Sequence, residues 1–169
     1  MWTETRVAVA CILLGASAIA WSAPAGAGGL GVRETRIGLA RLCDGDTPQA
    51  SRVEAPIAPS MIGRDVEPKG ASALCIVRDT RIDLPVSAVD THEDKWKVGW
   101  VEIAFARSEE AAFNRIMRES AGGKLVLLRG EHAVLEFEIL RATHQRSLLL
   151  RGFDLQDAEA IKKAVVDGI

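Results

Sequence analysis

The sequence predicts an α+β protein: an antiparallel sheet with two helices packed on one face, preceded by an extended Gly/Pro-rich arm. Three observations carry this. After Ala73, apolar residues alternate with polar ones in several short runs, two segments repeat apolar residues at helical spacing, and a glycine turn joins two apolar runs into a hairpin. Strands linked by short turns pair antiparallel, and helices between them are left to cover one face. A chain of 169 residues has room for one such domain and an arm.

From Gly28 to about Ala73 the chain is rich in turn-formers, with Gly45, Gly63 and Gly70 mixed among Pro48, Pro56, Pro59 and Pro68. No helical period of useful length survives there, so residues 28–73 read as an extended, partly ordered arm. Short extended pieces are expected within it, for instance at 36–42. Residues 74–84 read as a strand or two, with Ile82 and Leu84 alternating against Asp83. Residues 97–106 form a clearer strand: Val101, Ile103 and Phe105 point one way, Trp100, Glu102 and Ala104 the other.

Ser108 offers a cap oxygen, and Glu109 and Glu110 place negative charge on a first helical turn. Phe113, Ile116, Met117 and Ser120 continue at helical spacing, and Gly122-Gly123 ends the helix. Residues 124–128 and 135–139 then make the hairpin, joined through Gly130-Glu131 in a II′ turn. On its return strand Leu135, Phe137 and Ile139 face the core, and Glu136 and Glu138 face water. Residues 146–153 add a strand, and Asp154 caps a last helix bearing Leu155, Ala158, Ile161 and Val165, which Gly168 ends.

The N-terminus reads as a secretion signal over residues 1–27. A head with Arg6 leads into an uncharged apolar run at 7–20, and Ala25-Gly26-Ala27 supplies the small-residue cleavage pattern. The run is shorter than the ~20 residues a spanning helix needs, and retention as an inner-membrane anchor stays open beside cleavage. Either outcome places the rest of the chain in the periplasm. Cys11 arrives too early in the run for lipid attachment. Cys43 and Cys75 remain, and an oxidising compartment favours a disulfide between them over two buried or unpaired thiols.

A net charge of -2 and the absence of Tyr give no basis for nucleic-acid binding. His92, His132 and His144 fall in no metal-ligand spacing, no glycine loop precedes a helix in a phosphate-binding pattern, and no serine sits in a nucleophile elbow. No catalytic set, cofactor or metal site is therefore expected. Trp96 and Trp100 flank the 97–106 strand on the face opposite Ile103. Two readings stay open for the pair: an exposed anchor for an extended apolar peptide, or a cover for the core edge beneath the arm.

Residues 82–168 resemble the head subdomain of the first large periplasmic region of SecD, an accessory subunit of bacterial protein export. The features are spaced along the chain. Val101-Glu102-Ile103-Ala104-Phe105 runs into Ser108-Glu109-Glu110-Ala111-Ala112-Phe113, and Gly122-Gly123-Lys124 exits into the apolar Leu125-Val126-Leu127. Gly130 falls in the hairpin turn, and Arg151-Gly152-Phe153-Asp154 enters the last helix ahead of Ala158-Glu159-Ala160. Arg129 departs from the short acidic residue usual in that family's turn, and SecD's several transmembrane helices have no counterpart here.

The resemblance implies a stand-alone periplasmic member over residues 74–169. Its expected role is non-enzymatic: binding polypeptide or another envelope protein, with a link to export. The alternative is a small periplasmic hydrolase or small-ligand-binding protein on the same fold.

Overall fold

A computed structural model describes residues 35–64, 72–139 and 146–167. The secretion signal and its choice between cleavage and anchoring, Cys11, residues 28–31 of the arm, Pro68, Gly70, His144 and the Gly168 helix exit lie outside the described residues. Among the described residues, eight strands and two helices follow in the order β1 (Arg36–Arg41), β2 (Arg52–Pro56), β3 (Ala73–Val77), β4 (Ile82–Glu93), β5 (Gly99–Phe105), α1 (Glu110–Glu119), β6 (Lys124–Arg129), β7 (His132–Glu138), β8 (Ser147–Phe153) and α2 (Leu155–Val166). Six strands form one sheet in the order β7-β6-β1-β4-β5-β8, and β2 and β3 form a separate ribbon. Every strand pairing is antiparallel. The α+β class is therefore as the alternation and the helical spacing predict.

One face of the sheet carries the core. Ile37, Leu39, Leu84, Val101, Ile103, Leu125, Leu127, Leu148 and Leu150 project from it into a single cluster. That cluster also holds Phe113, Ile116 and Met117 of α1 and Ala158, Ile161, Ala164 and Val165 of α2, so both helices cover the same face. Burying chains such as Phe113 and Ile161 completely is worth about 1.5–3 kcal/mol each. This burial, more than helix propensity, fixes α1 and α2 in place.

The stretch read as an arm is in part structural. Its expected extended piece is β1, which lies in the middle of the sheet between β6 and β4. The physical reason is a division of residue sizes. Ile37 and Leu39 are fully buried in the main core, while Gly38 and Ala40 turn to the opposite face, where a close neighbour leaves no room. A Cβ on Gly38 would stand 3.0 Å from the Leu128 Cβ. The β2–β3 ribbon packs on this second face through Ala55, Leu74 and Ile76, against Ala40, Val126, Leu128 and Ala133.

Cys43 and Cys75 form a disulfide that ties the chain after β1 to β3. Beside it the Cys43 N–H donates to the Cys75 carbonyl at 2.9 Å. Among the described residues, the ribbon covers the β7-β6-β1 half of the second face.

Two further differences concern local geometry. Ser108 does not cap α1: the chain enters the helix through a 3-10 turn at Arg107–Glu109, and the Ser108 hydroxyl donates to the Glu109 carboxylate at 3.3 Å. β4 continues to Glu93, well beyond the Leu84 limit read from the alternation. The α2 cap is as expected, with Asp154 Oδ1 accepting from the Asp157 N–H at 2.7 Å. The β6–β7 turn is also as expected. Gly130 has φ +59 and Glu131 is not among the positive-φ residues, which selects II′ over I′.

Candidate functional site

Among the described residues, the β4-β5-β8 half of the second face carries no ribbon. A register shift between Val86 and Ala88 sets up this surface. One extra residue inverts the alternation of β4, so that Ala88, Asp90 and His92 face outward after Leu84 and Val86 have faced the core. The strand register then assembles three rows: His92 beside Trp100 beside Arg151, Asp90 beside Glu102 beside Leu149, and Ala88 beside Ala104 beside Ser147. None of these side chains belongs to a buried residue.

The first row is a stack. The His92 and Trp100 rings lie 5.4 Å apart at 27° between planes, and the Arg151 guanidinium stands over the indole at 5.3 Å. Cation and ring attract through the ring's quadrupole, which makes Trp100 a platform with a charged edge. In the second row Glu102 joins its neighbours: it accepts from the Ser147 hydroxyl at 2.7 Å, and its other oxygen lies 3.8 Å from His92 Nε2.

This group of Ser, Glu and His has the wrong order for nucleophile activation. A serine nucleophile needs the imidazole next to its hydroxyl and the carboxylate behind the imidazole. Here the carboxylate stands between the other two, and the cluster lies on an open sheet rather than in a cleft.

Trp96 sits at the tip of the β4–β5 hairpin, 71% exposed. It is therefore not on the strand itself, as its flanking position suggested. Asp94 holds the tip: its Oδ1 accepts from the Trp96 N–H at 2.8 Å and the Val98 N–H at 3.0 Å, an Asx arrangement. Lys97 completes the reversal with φ +66. Lys95 Nζ covers the Trp96 ring at 4.2 Å. Trp96 and Trp100 thus carry similar cation-covered rings, one at the tip and one on the strand.

The other candidates lie apart from this surface. His132 opens β7 next to the hairpin turn, and Glu136 on the outer side of β7 pairs with Lys124 at 3.1 Å. A cavity of about 460 Å³ lies along α2 between Arg64, Glu159 and Lys163, and one of about 300 Å³ lies between Phe105, Arg107 and Arg146. Neither includes a histidine in its lining. Among the described residues, no three His, Cys, Asp or Glu side chains gather as metal ligands would, and no helix is long and apolar enough to cross a membrane.

His92, Glu102, Ser147 and Arg151 were not found by sequence reasoning as site residues. Their one signal is that Trp100, Glu102 and Ala104 share a face. Which residues of β4 and β8 stand beside them depends on register.

The fold itself is SecD-like. Over 80% of its length the chain is similar to a crystal structure of SecDF in a super-membrane-facing form, with 12% identity and a TM-score of 0.50. It is also similar to the structure of SecDF as a membrane component that enhances protein export, with 12% identity, 80% of this chain and 63% of that chain covered, and a TM-score of 0.47. The chain spans 19% of the first of these SecDF chains. No family model and no curated protein matches it.

Proposed function

We infer that this is a non-enzymatic extracytoplasmic protein that binds polypeptide or another envelope protein, with a link to protein export. The observation that carries the reading is the Trp96 and Trp100 pair: one ring, 71% exposed beneath Lys95, stands at a hairpin tip held by Asp94, and the other lies beneath Arg151 on the part of the sheet face that the ribbon leaves open. Aromatic anchors with an apolar body and a polar rim are the usual centres of binding energy at protein surfaces.

The SecD-like fold supports the link to export, because SecDF enhances protein export. The signal read at residues 1–27 and the Cys43–Cys75 disulfide support an address outside the cytoplasm, where disulfides persist. Whether the N-terminal segment also holds the protein at the inner membrane is part of the same proposal. The hydrolase reading gains nothing from the order of Ser147, Glu102 and His92.

The test is site-specific photocrosslinking from position 96, and separately from position 100, in the envelope of a bacterium producing the protein. Mass spectrometry then identifies the captured chains and the attached residue. The expected product is a set of extended segments from several exported polypeptides, captured from both positions. Recovery of no polypeptide from either position sinks the function and leaves the fold intact.

A further inference from the structure

β8 hydrogen-bonds to β5 on one side, and no described residue pairs with its other side. The opposite edge of the sheet differs. At β7, Ile57 bridges to Ala133, and the Ala58 N–H donates to the Ala133 carbonyl at 2.8 Å, so that edge is partly closed.

An open edge offers a row of N–H and C=O groups whose spacing matches another extended backbone. β8 contains neither Pro nor Lys, and its one charged side chain, Arg151, lies over the Trp100 ring on the outer face. Its one irregularity lies near its end, where Gly152 has φ +101 and the register against β5 shifts between Gly99 and Trp100.

The outward side chains of β8 define what an added strand would carry. Leu149 is 38% exposed, an apolar surface that an added strand can meet. Arg151 is exposed, rests on Trp100, and has no carboxylate partner among the described residues. Residues two apart on a strand share a face, so the two preferences fall on alternate positions of a partner strand.

We propose that β8 is a strand-addition site, where an extended polypeptide segment pairs along Ser147–Phe153. It sets an apolar residue beside Leu149 and an acidic one beside Arg151. This rests on the polypeptide-binding reading above and specifies its place and mode.

The probe is a short peptide capped at both ends, threonine-rich, with one valine and one aspartate two positions apart. Two further versions are N-methylated at alternate residues, one along each backbone edge. Titration into isotope-labelled protein is expected to move the Leu148–Gly152 amide signals. One methylation pattern is expected to abolish binding while the other spares it, because only one peptide edge faces β8. Arg151→Glu should weaken the aspartate peptide about fivefold and favour its lysine counterpart.

Binding that survives both methylation patterns, or shifts confined to residues outside β8, overturns the edge assignment while leaving the polypeptide reading in place. Absence of binding at about 1 mM peptide overturns it as well, and the crosslinking from position 96 then decides the broader reading alone. A concentration-dependent dimer with protected β8 amides overturns it in favour of a second copy of this chain.

Discussion

Gly99 lies against the main chain of Asp154: a Cβ placed on Gly99 would stand 3.0 Å from the Asp154 carbonyl oxygen and 3.2 Å from its carbonyl carbon. That carbonyl already accepts from the Ala158 N–H at 3.0 Å as part of the first turn of α2. The neighbour is backbone held by a helix, and it has little freedom to move aside. Gly99→Ala should therefore destabilise the protein by about 1–3 kcal/mol, as overpacked sites do. Urea unfolding checks this through a lower midpoint at unchanged slope, and an unmoved midpoint would show that the contact yields.

The Cys43–Cys75 bridge closes a loop of sequence separation 32. Replacing both cysteines with serine should cost roughly 3 kcal/mol, mainly by freeing the unfolded chain. Hydrogen exchange is expected to show where the loss is felt first. Amides of Leu74 and Ile76 in the ribbon should exchange faster well before that of Leu127 in the sheet. Equal acceleration of all three would mean that the ribbon and sheet open as one unit.

Acid should act on the turn after β1. The Thr47 hydroxyl, which donates to Asp44 Oδ1 at 2.7 Å, is the main cause holding the Asp44 carboxyl below its ordinary 3.8. Desolvation opposes the shift, and Arg41 and the N–H groups of Asp46 and Thr47 assist it. A carboxyl lowered in the folded state contributes stability that is complete above the ordinary value and is lost as pH falls through the lower, folded one. A carbon-detected titration should find Asp44 below 3.8, and Thr47→Val should return it towards that value. An unmoved carboxyl in the valine variant would remove Thr47 as the cause.

Trp96→Ala separates binding from stability. The side chain is 71% exposed at a turn held by Asp94, so the melting temperature should barely change. Capture of polypeptide from position 100 should fall about tenfold or more if the tip is an anchor. Undiminished capture would reduce Trp96 to a surface residue.

Where the chain is legible from sequence, a strong period coincides with one fully buried face. β5, the β6–β7 hairpin with its Gly130 turn, and α2 with its Asp154 cap all meet that condition. The second half of β4 does not. It shows water Ala88, Asp90 and His92 on one side and puts only Val89 and Thr91 on the other, so no apolar alternation announces it. β1 is legible as an extended piece but not as the middle strand of the sheet: Gly38 is crowded by the Leu128 and Asp83 side chains of its flanking strands and Ala40 by the ribbon, and such small residues read as turn or linker until those neighbours are known.

The candidate surface was legible only through its tryptophans. Trp100 keeps the face assigned to it, whereas the Asp94 turn carries Trp96 off the strand. Arg151, His92 and Glu102 enter through register, which single-strand patterns do not encode.

The place of β1 also governs how the protein can come to be folded. Gly38 pairs with Asp83 on one side and Leu128 on the other, so the middle strand must wait for partners made much later in synthesis. Until β6 exists, the nascent sheet has a seam with no second wall, and the Ile37 and Leu39 side chains have nowhere dry to go. Closure of such distant pairings pays its entropy before its reward, which makes assembly slow and late. Ile37 and Leu39 are therefore among the last core side chains to find cover, and until then they are open to contacts with other chains.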